Sequence, residues 1–233
     1  MIAIIATAVG ILIGGITATF ASHAKDAMNK TMTSADKLHA AGHPVASDSF
    51  DAEAPGVPKN FVFVPLGADL SGQWAIDNDF QASTKPNVLT HKAGSTSGQW
   101  DLALWKGAPL ADGEITFSVK PVRGDPRFSG GAVWRYQNAQ SFYLLEMDSA
   151  DETLKLYRFK NGKSKCIDTQ QALVTEGRWH TVRLDFIAQI YAVYWDGELV
   201  MGGHDKTWLV PGAVGLASDA GSQIEFDDWT IRQ

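Results

Sequence analysis

A single cysteine, Cys166, stands in 233 residues, so no disulfide can close within the chain and no thiolate cage can hold a metal. We expect Cys166 to be a buried, unreactive side chain. Basic runs are missing too. With a formal net charge of -6 and its Lys and Arg scattered, the chain has neither the footprint of a nucleic-acid binder nor a polybasic membrane patch. G-x-S-x-G and H-E-x-x-H are both absent, which argues against a nucleophilic triad and a zinc peptidase. His91, His180 and His204 fall on separate segments, and Asp205, Asp219, Asp227 and Asp228 show no calcium-loop spacing, so no metal and no cofactor are expected. Beyond residue 60 the chain also lacks any long helical period and any internal repeat.

Charge is absent altogether from residues 1–24. As a helix, about 22 of them would reach roughly 33 Å, enough for a bilayer core. We expect a single-pass transmembrane anchor here, with a signal peptide cut before Lys25 as the competing reading. Gly10 and Gly14 form a G-x-x-x-G spacing that lets a second membrane helix approach closely. Residues 25–59 turn polar and small and read as a partly helical linker, stiffened by Pro44, Pro55 and Pro58.

Residues 60–233 consist of short alternating runs. Gly130 to Gly162 reads as a β-meander: Trp134 and Tyr136 share one side of its first strand, Phe142, Leu144 and Glu146 a side of the second, Leu154 and Leu156 a side of the third. ADGEITFSVKPV turns Ile115, Phe117 and Val119 inward, and WHTVRLDFI does the same with Val182, Leu184 and Phe186. Asn161-Gly162 and Asp196-Gly197 are hairpin signals of type I′. Twelve or thirteen such strands call for an all-β, antiparallel two-sheet sandwich.

The order GGAVWRYQNAQSFYLLEMD, LKLYRFKNGK, GRWHTVRLDFIAQIYAVYWDGELV and PGAVGLASDAGSQIEFDDWTIR resembles the concanavalin A-like jelly rolls over roughly Phe61 to Arg232. Laminin G-like, 3-keto-disaccharide hydrolase-like and family 16-like modules are the nearest forms. The resemblance implies a jelly roll, but members of this fold bind glycans, cleave glycans, bind proteins or act as spacers.

Laminarinase-type enzymes of this fold carry E-x-D-x-E or E-x-D-x-x-E on one strand. Here Glu146 and Asp148 match, Ala150 fails the shorter form, and Asp151 replaces the last glutamate of the longer one. A retaining mechanism needs carboxyls about 5 to 5.5 Å apart, whereas residues four apart on a straight strand are separated by about 13 Å. We therefore expect Glu146 to be a polar position on the concave sheet, with Asp148 to Glu152 a solvated turn, and expect the domain to be non-catalytic.

Sugar recognition by aromatic faces is the other chemistry on offer, from Trp134, Tyr136, Tyr143, Tyr157, Tyr191, Tyr194 and Trp195, with Arg135, Glu146 and Arg158 as polar partners. Most of these rings must fill the core, and Arg135 has a cross-strand pair with Glu146 as an alternative role. Two functions fit these features. The first is a membrane-anchored accessory subunit of a larger membrane assembly, photosynthetic or respiratory, that meets its partner subunits through the N-terminal helix and the sandwich surface. Lys25, Lys30 and Lys37 would place the sandwich in the cytoplasm by the positive-inside rule, but the secreted habit of the fold leads us to expect the periplasmic or exoplasmic side. The second is an envelope or extracellular carbohydrate-binding module or weak glycoside hydrolase. A carbohydrate site requires two or more solvent-facing rings on one sheet, a scaffold apolar patches elsewhere.

Overall fold

The computed structural model describes residues 42–67, 73–94, 98–124 and 128–233. The expected anchor, its Gly10 and Gly14 pair, and most of the helical part of the linker lie outside these residues. Among the described residues there is no helix, and none long and apolar enough to cross a membrane.

Two antiparallel sheets face each other. One contains β1 (Pro44–Asp48), β3 (Gln73–Asn78), β4 (Asn87–Lys92), β6 (Gly113–Gly124), β11 (His180–Ile187), β12 (Ile190–Trp195), β13 (Glu198–His204) and β15 (Ser222–Arg232). Its order is β13-β12-β11-β6-β15-β4-β3, with β1 pairing to β15 beyond the end of β4. The other contains β2 (Phe61–Pro65), β5 (Trp100–Trp105), β7 (Ser129–Asn138), β8 (Ser141–Asp148), β9 (Thr153–Lys160), β10 (Lys163–Gln171) and β14 (Ala213–Asp219), in the order β10-β9-β8-β7-β14-β5-β2. This is the jelly-roll sandwich that the alternation and the resemblance imply.

Period-two patterning builds the layer between the sheets. Ile115, Phe117 and Val119 of β6 and Val182, Leu184 and Phe186 of β11 meet Leu145, Met147, Leu154 and Leu156 of β8 and β9 in one buried core. Each such side chain contributes about 1.5–3 kcal/mol by leaving water. Both hairpins form as their dipeptides require, with φ of 52° and 74° at Asn161-Gly162 and 50° and 85° at Asp196-Gly197. A buried polar clamp crosses the layer: His91 Nε2 of β4 meets Asp101 Oδ2 of β5 at 3.0 Å, while His91 Nδ1 meets the Ser222 carbonyl at 2.9 Å.

Three expectations change. Trp134 and Tyr136 do not share a face, because Arg135 takes φ 49° in a β-bulge; Trp134 enters the core and Tyr136 turns to the outer side of the seven-stranded sheet. The stretch read as linker contributes β1, which pairs with Trp229 to Arg232, and Phe50, which is fully buried against the Phe61 ring. Cys166 is exposed rather than buried, because β10 is an edge strand; its Sγ contacts the Asp168 carbonyl and the Thr169 hydroxyl.

Candidate functional site

An antiparallel sheet with no layer on its outer side ordinarily alternates apolar and polar residues. The seven-stranded sheet departs from this. Its outer face carries Leu102 and Leu104 of β5, Val133 of β7, Phe142 and Leu144 of β8 and Ala217 of β14, all buried, with Val64, Leu66, Trp100, Tyr136, Tyr157 and Phe159 packed around them and partly exposed. Phe142 stacks on Phe159 at 4.2 Å, and Tyr136 tilts against Phe142 at 5.7 Å.

Register sets a groove into this face. Gly131 lies between Glu146 of β8 and Ala217 of β14, so at this point β7 puts no side chain between them. Its bareness is enforced: a Cβ on Gly131 would sit 2.1 Å from the Leu145 carbonyl oxygen, and one on Gly215 would sit 2.2 Å from that of Ala103. Walls rise on both sides. Glu146, Leu144, Tyr157, Phe159 and Ser164 form one, Trp100, Gly98 and Asp219 the other, and they enclose about 190 Å³.

Both carboxylates in the groove are buried and oriented. Glu146 accepts from the Ser129 hydroxyl at 2.5 Å, and Ser129 is itself held by its backbone N–H donating to Ser222 Oγ. The Tyr157 phenol lies against Glu146; burial first, then that negative charge, raises its pKa above the ordinary value, so Tyr157 keeps its proton as a donor. Asp219 accepts from the backbone N–H groups of Gly98 at 2.6 Å and Gly221 at 2.9 Å. Rings that offer apolar faces beside fixed acceptors are suited to a polyhydroxylated ring, whose C–H face stacks while its hydroxyls donate. Among the described residues, no three His, Cys, Asp or Glu side chains converge as metal ligands would.

The residues singled out from the sequence are thus dispersed. Glu146 stands in the groove. Asp148, on the same face of β8, is fully buried rather than solvated, and its carboxylate is taken by Lys155 Nζ at 2.8 Å; Lys155 also pairs with the exposed Asp151. Arg135 makes no pair with Glu146. The bulge aims it toward the core side, where it donates to the carbonyls of Ala111, Trp208 and Ala188, tying three loops together. Arg158 also points away from the groove and binds Asp205 and Thr207 at 2.8 Å each. Burial alone would raise the Asp205 pKa, but bonds from Tyr143 and Thr207 and the Arg158 charge bring it below the ordinary carboxylate value. Of the expected rings, Tyr157 and Tyr136 reach the outer face of this sheet, while Trp134, Tyr143, Tyr191 and Trp195 fill the core and Tyr194 faces outward from the other sheet.

Trp100, Phe159 and Asp219 carry no motif that marks them as groove residues. For Trp100 the signal is its own strand, β5, whose sequence WDLALW, like SFYLLEMD of β8, runs apolar on both faces instead of alternating, while Phe159 of β9 and Asp219 of β14 have none.

Comparison with known proteins agrees with the architecture. The levanase of Bacillus subtilis (strain 168) is 21% identical over 145 residues, covering 62% of this chain, which spans only 20% of that enzyme's length. Carbohydrate binding module CBM66 from Bacillus subtilis superposes with a TM-score of 0.60 at 17% identity, over 77% of this chain and all of that one. A family 16 non-specific endo-β-1,3(4)-glucanase superposes at 0.53 and 15% identity, over 82% of this chain and 91% of that one. The sequence profile of the 3-keto-alpha-glucoside-1,2-lyase-like domain matches residues 63–232, from β2 to the last residue of β15, and the chain belongs to that family.

Proposed function

We propose that this domain binds carbohydrate along the outer face of its seven-stranded sheet. The observation that carries the reading is the groove: half-buried Trp100, Tyr157 and Phe159 beside the buried carboxylates of Glu146 and Asp219, with Gly131 of β7 in register between the strands that carry those carboxylates. Trp100 and the Tyr157–Phe159 pair would stack on sugar faces, and Glu146 and Asp219 would accept hydroxyl protons. Of the two functions expected from the sequence, this is the one the relatives support, since a carbohydrate binding module, a levanase and a glucanase are among them. Residues 1–24 would hold the domain at a membrane, on its periplasmic or exoplasmic side, where extracellular polysaccharide is accessible. N-terminal sequencing of the mature protein tests that attachment: a chain that begins at Lys25 is not anchored by this segment.

The binding itself is tested by isothermal titration of the protein with levan- and β-glucan-derived oligosaccharides. Saturable binding that Trp100→Ala weakens at least tenfold supports the reading. Absence of binding to fructans, β-glucans and a broad glycan array removes it.

A further inference from the structure

A second cleft lies on the opposite side of the molecule. It opens on the outer face of the eight-stranded sheet and encloses about 340 Å³, more than the groove and within the range of small-ligand sites. Thr116 and Ser118 of β6, Thr181 and Arg183 of β11, Tyr194 of β12 and Asp228 of β15 line it. We propose that this cleft is a separate binding site for a neutral saccharide.

The lining is organised at both ends. At one end the Arg183 guanidinium lies 3.6 Å from the centre of the Tyr194 ring, so each holds the other flat as a wall. Asp185 lies 3.4 Å from the same guanidinium and balances its charge. At the other end β15 bulges between Asp227 and Thr230, and Asp228 takes φ 51°. A left-handed aspartate costs conformational energy, and a bulge of this kind re-aims a side chain; here both effects bring the Asp228 carboxylate to the cleft.

Hydroxyls fill the space between. Ser118 Oγ lies 3.3 Å from Asp228 Oδ2 and 3.4 Å from Ser83 Oγ, at the long limit of hydrogen bonding, so these contacts exchange readily for better ones. The Thr116 and Thr181 hydroxyls each donate and accept, as sugar hydroxyls do. Because Arg183 is already matched by Asp185, the charge left in the cleft is that of Asp228, which repels an anion and accepts from a diol. The chemistry therefore selects a neutral polyhydroxylated ligand of one or two rings. With the groove on the other sheet, the domain would hold two sugar chains at once and gain from their linkage.

The test is a titration of the isotope-labelled full chain in mild detergent, followed by ¹H–¹⁵N spectra, with nystose and laminaritetraose as probes. The expected result is saturable movement of the Thr116, Thr181, Arg183 and Gly197 amides with a Kd of their own. Asp228→Asn keeps the left-handed tolerance of the position and should weaken that Kd at least tenfold without changing the groove amides. Thr181→Tyr, at an exposed position, blocks the cleft by a second route and should do the same. Cleft amides that stay still with both probes, or whose movement neither variant changes, overturn the proposal. Movement in the cleft with none in the groove would remove the groove reading and leave this one standing.

Discussion

The outer faces of the two sheets begin from the same rule and end differently. On the eight-stranded sheet most positions of β6, β11 and β15 that point away from the core are polar, among them Thr116, Ser118 and Lys120, Thr181 and Arg183, Glu225 and Asp227, and Ala192, Tyr194 and Leu199 of β12 and β13 form an apolar cluster at one side. Away from the cleft the polar groups satisfy one another, as where Lys120 bridges Asp79 and Glu225 and where Asp227 accepts from the Thr84 N–H at 2.7 Å. On the seven-stranded sheet most of the equivalent positions are apolar, with Glu146, Asp148 and Asp219 the carboxylates among them, and partly exposed rings surround them. A face whose polar groups pair among themselves is stable in water, whereas an apolar face ringed by half-exposed aromatics beside oriented carboxylates is suited to a ligand. The difference assigns the groove to the seven-stranded sheet and limits the other sheet to a polar cleft.

The largest effect should come from the groove floor. Gly131→Ala forces a Cβ to 2.1 Å from the Leu145 carbonyl oxygen and should cost about 3 kcal/mol in urea unfolding. A variant as stable as the wild type would show that the floor is not tightly held. Next, removing the rings from both walls with Trp100→Ala and Tyr157→Ala should lower oligosaccharide affinity roughly 100-fold, while Lys92→Ala, at an exposed position of the eight-stranded sheet outside the cleft, leaves that affinity unchanged. Equal losses from the two changes would erase the distinction between the faces.

The polar face has a pH signature of its own. Burial, with the nearby Asp228 charge, pushes the Asp227 carboxyl up to about 6 despite the bonds it accepts from Thr84 and Asp228. The folded state therefore holds this proton more tightly than the unfolded chain, so the contribution of Asp227 favours folding as pH falls from 7 through 6. Between pH 7 and pH 4.5, wild type should gain about 2 kcal/mol relative to Asp227→Asn, measured as the difference of two unfolding curves. A difference that stays flat across that interval would contradict the burial argument. The smallest effect is Glu146→Gln, which keeps the shape and the Ser129 contact but removes the charge. It should weaken saccharide binding about tenfold with little change in melting temperature.

Much of this fold is legible in the sequence because it rests on local rules. Asn161-Gly162 and Asp196-Gly197 need only their own φ preferences to turn, and the alternation of β6 and β11 needs only a core on one side. The bulge at Arg135 is not legible, because nothing local marks a non-glycine residue for φ 49°; its guanidinium is held there by carbonyls from positions 111, 188 and 208, distant in sequence. Half of the groove is legible in Glu146 and Tyr157. The other half depends on register, since Trp100 and Asp219 reach the same cleft only through the pairing of β14 with β5 and β7. Asp148 draws attention as part of an acidic motif, yet its burial and its tie to Lys155 make it a structural ion pair.

The most direct test of the groove is the indole N–H resonance of Trp100, assigned by Trp100→Phe, during titration with fructan- and β-glucan-derived oligosaccharides. The groove predicts that this resonance shifts saturably together with the Tyr157 amide, while the indoles of the core residues Trp134 and Trp229 stay in place. An oligosaccharide that binds while Trp100 does not move, or a complete absence of binding across the panel, would contradict it.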